Sequence, residues 1–249
     1  MCTVSWRVSH EGYDLFFNRD ELNTRAPELA PELGRGESVS FLAPRDGARG
    51  GTWLLANDRG LTICLLNDYG ASWRPAAAAR FSRGHVVLAG AAATNHAALI
   101  EIVGRQPLAR TPAFQLVALS REEGAMVLQW DGTALARRVA SAPLTSSSYA
   151  TAEVIATRVR RYRESVRPGD SPEIGELFAY HRQQEQPDGA YSVLMHRPDA
   201  ATRSITHVTV CSDQVTMRYE AMRWALRKPV FLKPVLDTLP LRLRSTPKA

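Results

Sequence analysis

The chain has 249 residues, 45% of them hydrophobic and 22% charged, which is enough apolar material to bury a core and too much to remain disordered. Its 31 Lys and Arg exceed its 25 Asp and Glu, yet Lys occurs only at positions 228, 233 and 248. The excess is therefore an arginine-rich composition, and without an aromatic-basic motif beside it no nucleic-acid partner is expected. No apolar run reaches the ~18 to 20 residues of a membrane helix, so no helical membrane span is expected. The opening Met1-Cys2-Thr3-Val4-Ser5-Trp6-Arg7 lacks the basic and apolar stretches of a secretory signal, and the expected location is the cytoplasm.

Residues 2–8 alternate as a strand, Glu11-Gly12 offers a turn, and Tyr13 to Arg19 reads as the returning strand. A polar, Pro-rich stretch from Asn23 to Arg49 reads as loop with short elements. Gly50-Gly51 opens a strand through Trp53 and Leu55, Asn57-Asp58-Arg59-Gly60 is a turn, and Leu61 to Leu66 is the next strand. Gly50-Gly51 suits either a close backbone approach to a ligand or a tight turn. Residues 83–103 have a helical pattern. Phe114 to Leu119 and Met126 to Trp130 form a hairpin around Arg121-Glu122-Glu123-Gly124.

A helix follows Tyr149, and its Arg158, Arg160, Arg161 and Arg163 are expected on a solvated face. Ser171-Pro172 is expected to cap the next helix, which carries Ile174, Leu177 and Phe178. The last hairpin joins residues 204–211 to 214–219. Beyond it, residues 229–249 read as a Pro-containing basic tail on a single domain of residues 1–228. Strand pairs alternating with helix pairs indicate the α+β class with antiparallel sheets.

Cys2, Cys64 and Cys211 suggest neither a disulfide framework nor a zinc site, and the six His are scattered. No metal and no cofactor is expected; haem in particular lacks a Cys-x-x-Cys-His run or an axial pair. Cys64 and Cys211 read as small apolar residues on buried strands. Cys2 differs, because loss of Met1 would leave one residue carrying both a thiol and an α-amine. That amine, with a pKa near ~8, can accept the thiol proton without a histidine. A nearby Arg would favour the thiolate, a carboxylate would orient the amine, and an Asn amide could serve the oxyanion.

If the first hairpin turns at Glu11-Gly12, Asn18-Arg19-Asp20-Glu21 returns beside Cys2. Neighbouring residues on a strand point to opposite faces, so Arg19 and Asp20 could both serve the site only through a bulge or a strand end. The same four residues also read as a charged strand end without chemistry.

Met1-Cys2, Asn18-Arg19-Asp20-Glu21 with Arg25, and Gly50-Gly51-Thr52-Trp53-Leu54 resemble the NRDE family, also named after transport and Golgi organisation. The resemblance continues through Leu144 to Tyr149 and Arg203-Ser204-Ile205-Thr206. That family is similar to the cysteine branch of the N-terminal nucleophile hydrolases, including bile salt hydrolases and penicillin V acylases. The acylases also begin Met-Cys-Thr, and their Asn-x-x-Gly-Leu turn and Leu-Asn strand end are matched by Asn57 to Leu61 and Leu66-Asn67.

By that resemblance Cys2 is nucleophile and base, Arg19 its thiolate partner, Asp20 the group orienting the amine, and Asn67 the oxyanion donor. The implied fold is a four-layer αββα sandwich. In the hydrolases two residues separate the Arg from the Asp, whereas Arg19 and Asp20 are adjacent; Glu21 or Asn18 could fill the role given to Asp20. Ser146 stands where the hydrolases have a second Asn, and it reads as a helix cap or a substrate contact. Trp6 and Trp53 read as core or pocket wall, and His196 as a structural histidine.

Two functions follow. One is a cysteine amidase-like hydrolase cleaving a small C–N bond or transferring an acyl group. The other is a non-catalytic member of the fold that binds a lipid-like or haem-like molecule. Either has a small-molecule partner.

Overall fold

A computed structural model describes residues 1–71, 80–167, 172–184 and 189–241. Its strands form two seven-stranded sheets in which every described pair is antiparallel. The first sheet contains β1 (Cys2–Ser9) and β2 (Gly12–Leu22) at its centre. The second holds β3 (Leu29–Arg35), β4 (Ser40–Arg45), β5 (Leu54–Asn57), β6 (Leu61–Asn67), β7 (Phe114–Ser120), β8 (Gly124–Trp130) and β9 (Leu135–Arg138) in chain order. Outside β1 and β2 the first sheet continues with β10 (Leu144–Ser146) on one side. On the other lie β11 (Ala200–Val210), β12 (Gln214–Ala225) and β13 (Lys228–Phe231), with β14 (Val235–Pro240) also pairing β12.

Alternation along the strands sorts the side chains into layers. Val4, Trp6, Leu15 and Phe17 of the first sheet meet Leu54, Cys64, Leu66 and Val117 of the second in a central core. The other face of the second sheet, with Leu55 and Ile63, packs on α1 (Arg83–Ala89) and α2 (His96–Gly104) through Val86, Leu99 and Val103. The outer face of the first sheet carries Phe16 and Ile205 against Leu177 and Tyr180 of α4 (Ile174–His181), with Tyr162 of α3 (Thr151–Ser165) beside them. The order of layers is αββα, as expected. Each fully buried Leu, Ile or Phe contributes about 1.5–3 kcal/mol.

The β1–β2 turn falls at His10-Glu11, one residue before the expected Glu11-Gly12, and its register sets Cys2 opposite Arg19. Gly12 has φ +150°, and a Cβ there would lie 1.8 Å from the carbonyl oxygen of Val210, so no other residue fits. The Asn57-to-Gly60 turn also forms: Asn57 Oδ1 accepts from the N–H groups of Arg59 and Leu61, both at 3.1 Å. Its amide donates to the carbonyls of Ala91 at 3.0 Å and Ala93 at 2.8 Å. Those two bonds hold the 3-10 turn Gly90–Ala92 that divides the expected helix of residues 83–103 into α1 and α2.

Several expectations change. Arg158 and Arg161 are buried, Arg158 against Thr3 and Asp20 of the first sheet and Arg161 on the Tyr191 carbonyl, in place of the solvated face expected for them. Cys211 lies past the end of β11 and is half-buried, whereas Cys64 is buried between the sheets. The polar stretch Asn23 to Arg49 contributes two strands, β3 and β4, and residues 228–231 and 235–240, read as part of a tail, form two more. Ser171 lies outside the described residues; α4 starts at a capping box in which Glu173 and Glu176 exchange bonds.

Candidate active site

Three segments distant in sequence meet at Cys2. In the β1–β2 ladder it faces Arg19, and in the β1–β10 ladder it faces Ser146. The hydroxyl of Ser146 accepts from the Cys2 N–H at 3.1 Å, so Ser146 is a strand residue that holds the Cys2 nitrogen and not a helix cap. Thr145 Oγ1 donates to the Cys2 carbonyl at 3.2 Å.

Strand parity separates the Asn18-to-Glu21 run. Arg19 and Glu21 line the same cleft as Cys2. The Arg19 guanidinium donates to Glu28 at 3.1 Å and Glu21 at 3.3 Å and lies 4.2 Å over the ring of Trp53. Trp53 is thus the wall that supports Arg19, in agreement with its reading as pocket wall. Arg25 continues the ion pairs, 3.6 Å from Glu21 and hydrogen-bonded to Asp46. Burial alone would push the Asp46 carboxyl up, but the Arg25 hydrogen bond outweighs it and holds it below its usual range.

The side chains of Asn18 and Asp20 turn to the helix layer. The Asp20 carboxylate accepts from Thr202 Oγ1 at 2.7 Å and from Arg158 Nη1 at 3.2 Å, both ion-pair side chains being fully buried. What Asp20 offers the N-terminus is its main chain: its N–H donates to the Met1 carbonyl at 3.0 Å and its carbonyl accepts from the Met1 α-ammonium at 3.1 Å. A register shift does occur here, but it lies in β11, between Thr202 and Ser204, and not in β2.

Asn18 belongs to a sealed row. Its Oδ1 is 2.8 Å from His181 Nδ1, His181 Nε2 is 2.8 Å from Ser5 Oγ, and its amide donates to the carbonyls of His181 and Val193. Burial, with His207 and Arg158 adding, lowers the His181 pKa to about 3, so the ring is neutral and Ser5 donates to it. Ser5, Asn18 and His181 are all fully buried, and the row ties α4 to the first sheet.

Cys2 and Asn67 open on a cleft of about 350 Å³, with Arg19, Glu21, Arg25 and Trp53 on its walls. Asn67, at the end of β6, donates from Nδ2 to the Tyr69 hydroxyl at 2.8 Å. The cleft floor needs two glycines: a Cβ on Gly51 would lie 2.9 Å from the carbonyl carbon of Gly84, and the Thr52 N–H bonds the Gly84 carbonyl at 3.2 Å. Gly51 therefore lets the backbone pass the start of α1, while Gly50, at φ +68°, makes the turn before it.

Met1 is buried beside Cys2. With Met1 in place, burial pushes the Cys2 thiol up, and the Met1 ammonium and Arg19, which pull it down, do not overcome that. Among the described residues no group of three or more His, Cys, Asp or Glu side chains is placed to hold a metal ion.

The sequence did not reveal Glu28, Arg158 or the Met1 pocket. Arg158 had a signal: Val154, Arg158 and Arg161 are spaced i, i+4 and i+7, one helical face, and Val154 marks that face as buried. Glu28 had none, since nothing in a Pro-rich stretch says which charge returns to Arg19.

The αββα layers, with Cys2 at the start of β1 between β10 and β2, place the protein among molecules with an N-terminal nucleophile hydrolase-like fold. Solved structures agree. Penicillin V acylase from Agrobacterium tumefaciens aligns over 92% of this chain and 84% of its own, with TM-score 0.55 and 10% identity. Conjugated bile acid hydrolase from Clostridium perfringens, solved as a cysteine-to-alanine mutant, aligns over 99% and 98%, with TM-score 0.58 and 9% identity. The Caenorhabditis elegans N-acylethanolamine-hydrolyzing acid amidase ortholog aligns over 83% and 92%, with TM-score 0.55 and 9% identity. At such identities the likeness is one of fold. The sequence model of the Transport and Golgi organisation 2 family matches residues 1–219, and the chain belongs to that family. No curated protein matches it in sequence.

Proposed function

We propose that the protein is a cysteine N-terminal nucleophile hydrolase acting on a small amide, with acyl transfer as a variant. The observation that carries this is the position of the Cys2 nitrogen, 3.1 Å from Ser146 Oγ and on a residue that faces Arg19 at the cleft. Removal of Met1 turns that nitrogen into an α-amine already held by a hydrogen-bond acceptor. It also admits water to the thiol, lessening the burial that raises its pKa.

The amine takes the thiol proton, and the thiolate attacks the substrate carbonyl carbon. Asn67 has two amide hydrogens; Tyr69 accepts one, and the other is free to meet the oxyanion. The C–N bond then breaks as the α-ammonium returns its proton to the leaving nitrogen, leaving a thioester. Water, deprotonated by the same amine, releases the carboxylic acid and restores the thiol. Arg19, fixed by Glu28, Glu21 and Trp53, supplies positive charge near the thiolate throughout. The free thiols support work in a reducing compartment such as the cytoplasm.

A panel of small amides tests this. Cys2→Ala should lower turnover about 10³-fold or more, and the native protein mixed with substrate should show a thioester by intact mass. Equal turnover by Cys2→Ala would end the hydrolase reading. The second reading, a binder of a lipid-like or haem-like molecule, draws on the raised thiol pKa in the chain that keeps Met1. The charged walls of the cleft favour a polar ligand over that cargo.

A further inference from the structure

Met1 fills a site whose contacts match its chemistry group by group. The side chain packs against Met195 and Ala200, with Tyr69 alongside. The Ser147 hydroxyl oxygen, which also bonds the Tyr149 carbonyl, lies 3.1 Å from the sulfur, and Arg197 Nη1 is 3.7 Å from it. The α-ammonium and the carbonyl bond the carbonyl and the N–H of Asp20 as an antiparallel strand would. Burial opposes the α-ammonium, while Cys2 and Tyr69 and then the charges of Asp20 and Glu21 favour it, and only 7% of the residue is exposed.

Loss of Met1 leaves the Asp20 N–H and C=O facing the vacated space, one donor and one acceptor that a ligand can pair as Met1 does. We propose that the space it leaves is the acyl subsite of the processed protein, and that it takes an α-aminoacyl amide with a free ammonium and an unbranched apolar side chain. The proposal rests on the reading of Cys2 as a processed nucleophile and names the substrate class for it.

Three features support that class. Met1 is joined to the Cys2 nitrogen, so a ligand carbonyl at its place, shifted outward from a bond to van der Waals contact, lies beside the thiol. In that place it accepts from the Asp20 N–H. A methionine-like chain runs past Met195 and Ala200 to Ser147 and Arg197, whereas a valine chain ends before those contacts. The reaction is the one described above: the thiolate adds to the aminoacyl carbonyl, the leaving amine takes the proton, and water frees an α-amino acid.

Two full-length proteins, released from a cleavable leader so that the first residue is either Met1 or position 2, provide the test. In both, Cys2→Ala prevents turnover, and calorimetry follows the binding of L-methioninamide, L-norleucinamide, L-valinamide and N-acetyl-L-methioninamide. The protein starting at position 2 should bind methioninamide and norleucinamide about tenfold or more tighter than the other two, a difference of about 1.4 kcal/mol. The protein starting at Met1 should bind none, and Ala200→Leu should weaken methioninamide about tenfold. Equal binding of valinamide, equal binding by the Met1 form, or no binding of any aminoacyl amide would overturn the subsite. Selective binding without turnover by the Cys2 protein would keep the subsite and remove the hydrolase. Turnover of other amides without selective binding would do the reverse.

Discussion

Asp20 shows how one residue serves two faces of a sheet. Its main chain pairs with the N-terminal residue while its carboxylate bonds Thr202 of β11 and anchors Arg158 of the helix layer. A buried ion pair that loses one partner leaves an uncompensated charge, at a cost of about 3–5 kcal/mol. Arg158→Met should therefore destabilise the protein by that amount in urea titration, while the double change Asp20→Asn with Arg158→Met should recover much of the loss. A double variant as unstable as the sum of its singles would show that the two side chains are not coupled. This division was half visible in the sequence. Parity on an ideal strand separates residues 19 and 20, but which face looks into the cleft depends on the second sheet, whose approach no local pattern encodes.

At the scale of elements, the turn at His10-Glu11 fixes the register, and the register alone brings Cys2 opposite Arg19. That part of the site was legible because a hairpin is local. Asn57 and Gly60 were legible for the same reason. The buried face of α3 was not, because arginine reads as solvated unless its partner, here on β2, is known. The Ser5–His181–Asn18 row was not, because it joins β1, α4 and β2 across the whole chain.

That row predicts acid sensitivity. His181 has a folded pKa of about 3 against an ordinary value of 6.5, so the unfolded chain takes up a proton that the folded one refuses. The stability it contributes is complete above pH 6.5 and is lost as the pH falls towards 3. At pH 5 the loss is about 2 kcal/mol. Asp14, lowered to about 2 by His207, Thr209 and Arg7 against the opposing effect of burial, adds a further loss as the pH falls from 3.8 towards 2. Urea midpoints at pH 7 and pH 5 measure the first step. His181→Gln should be less stable at pH 7 and should show a flatter profile between them; an unchanged profile would remove the buried neutral histidine as its cause.

For the whole molecule, the order of events matters. The Met1 α-ammonium is bonded to Asp20 and its side chain is buried, so an aminopeptidase has no grip on the folded N-terminus. On the proposed reading, removal of Met1 therefore precedes pairing of β1 with β2 and β10. Folded protein released with Met1 in place should keep that residue during incubation with methionine aminopeptidase, while a peptide of residues 1–9 is cleaved. Equal cleavage rates, followed by mass, would show that the edge opens readily. Among the described residues no helix is long and apolar enough to cross a membrane. The double sheet places the cleft at one edge of the sandwich, where β1, β2 and β6 end.

Intact mass with peptide mapping after brief iodoacetamide treatment near neutral pH distinguishes an activated N-terminal thiol at Cys2 from an ordinary one. Cys64 is sealed between the sheets and Cys211 is half-buried at a strand end, so Cys211 is the internal standard. The expected result is a chain that has lost Met1 and carries the label at Cys2 well before Cys211. A chain that retains Met1, or labels Cys2 no faster than Cys211, would contradict it.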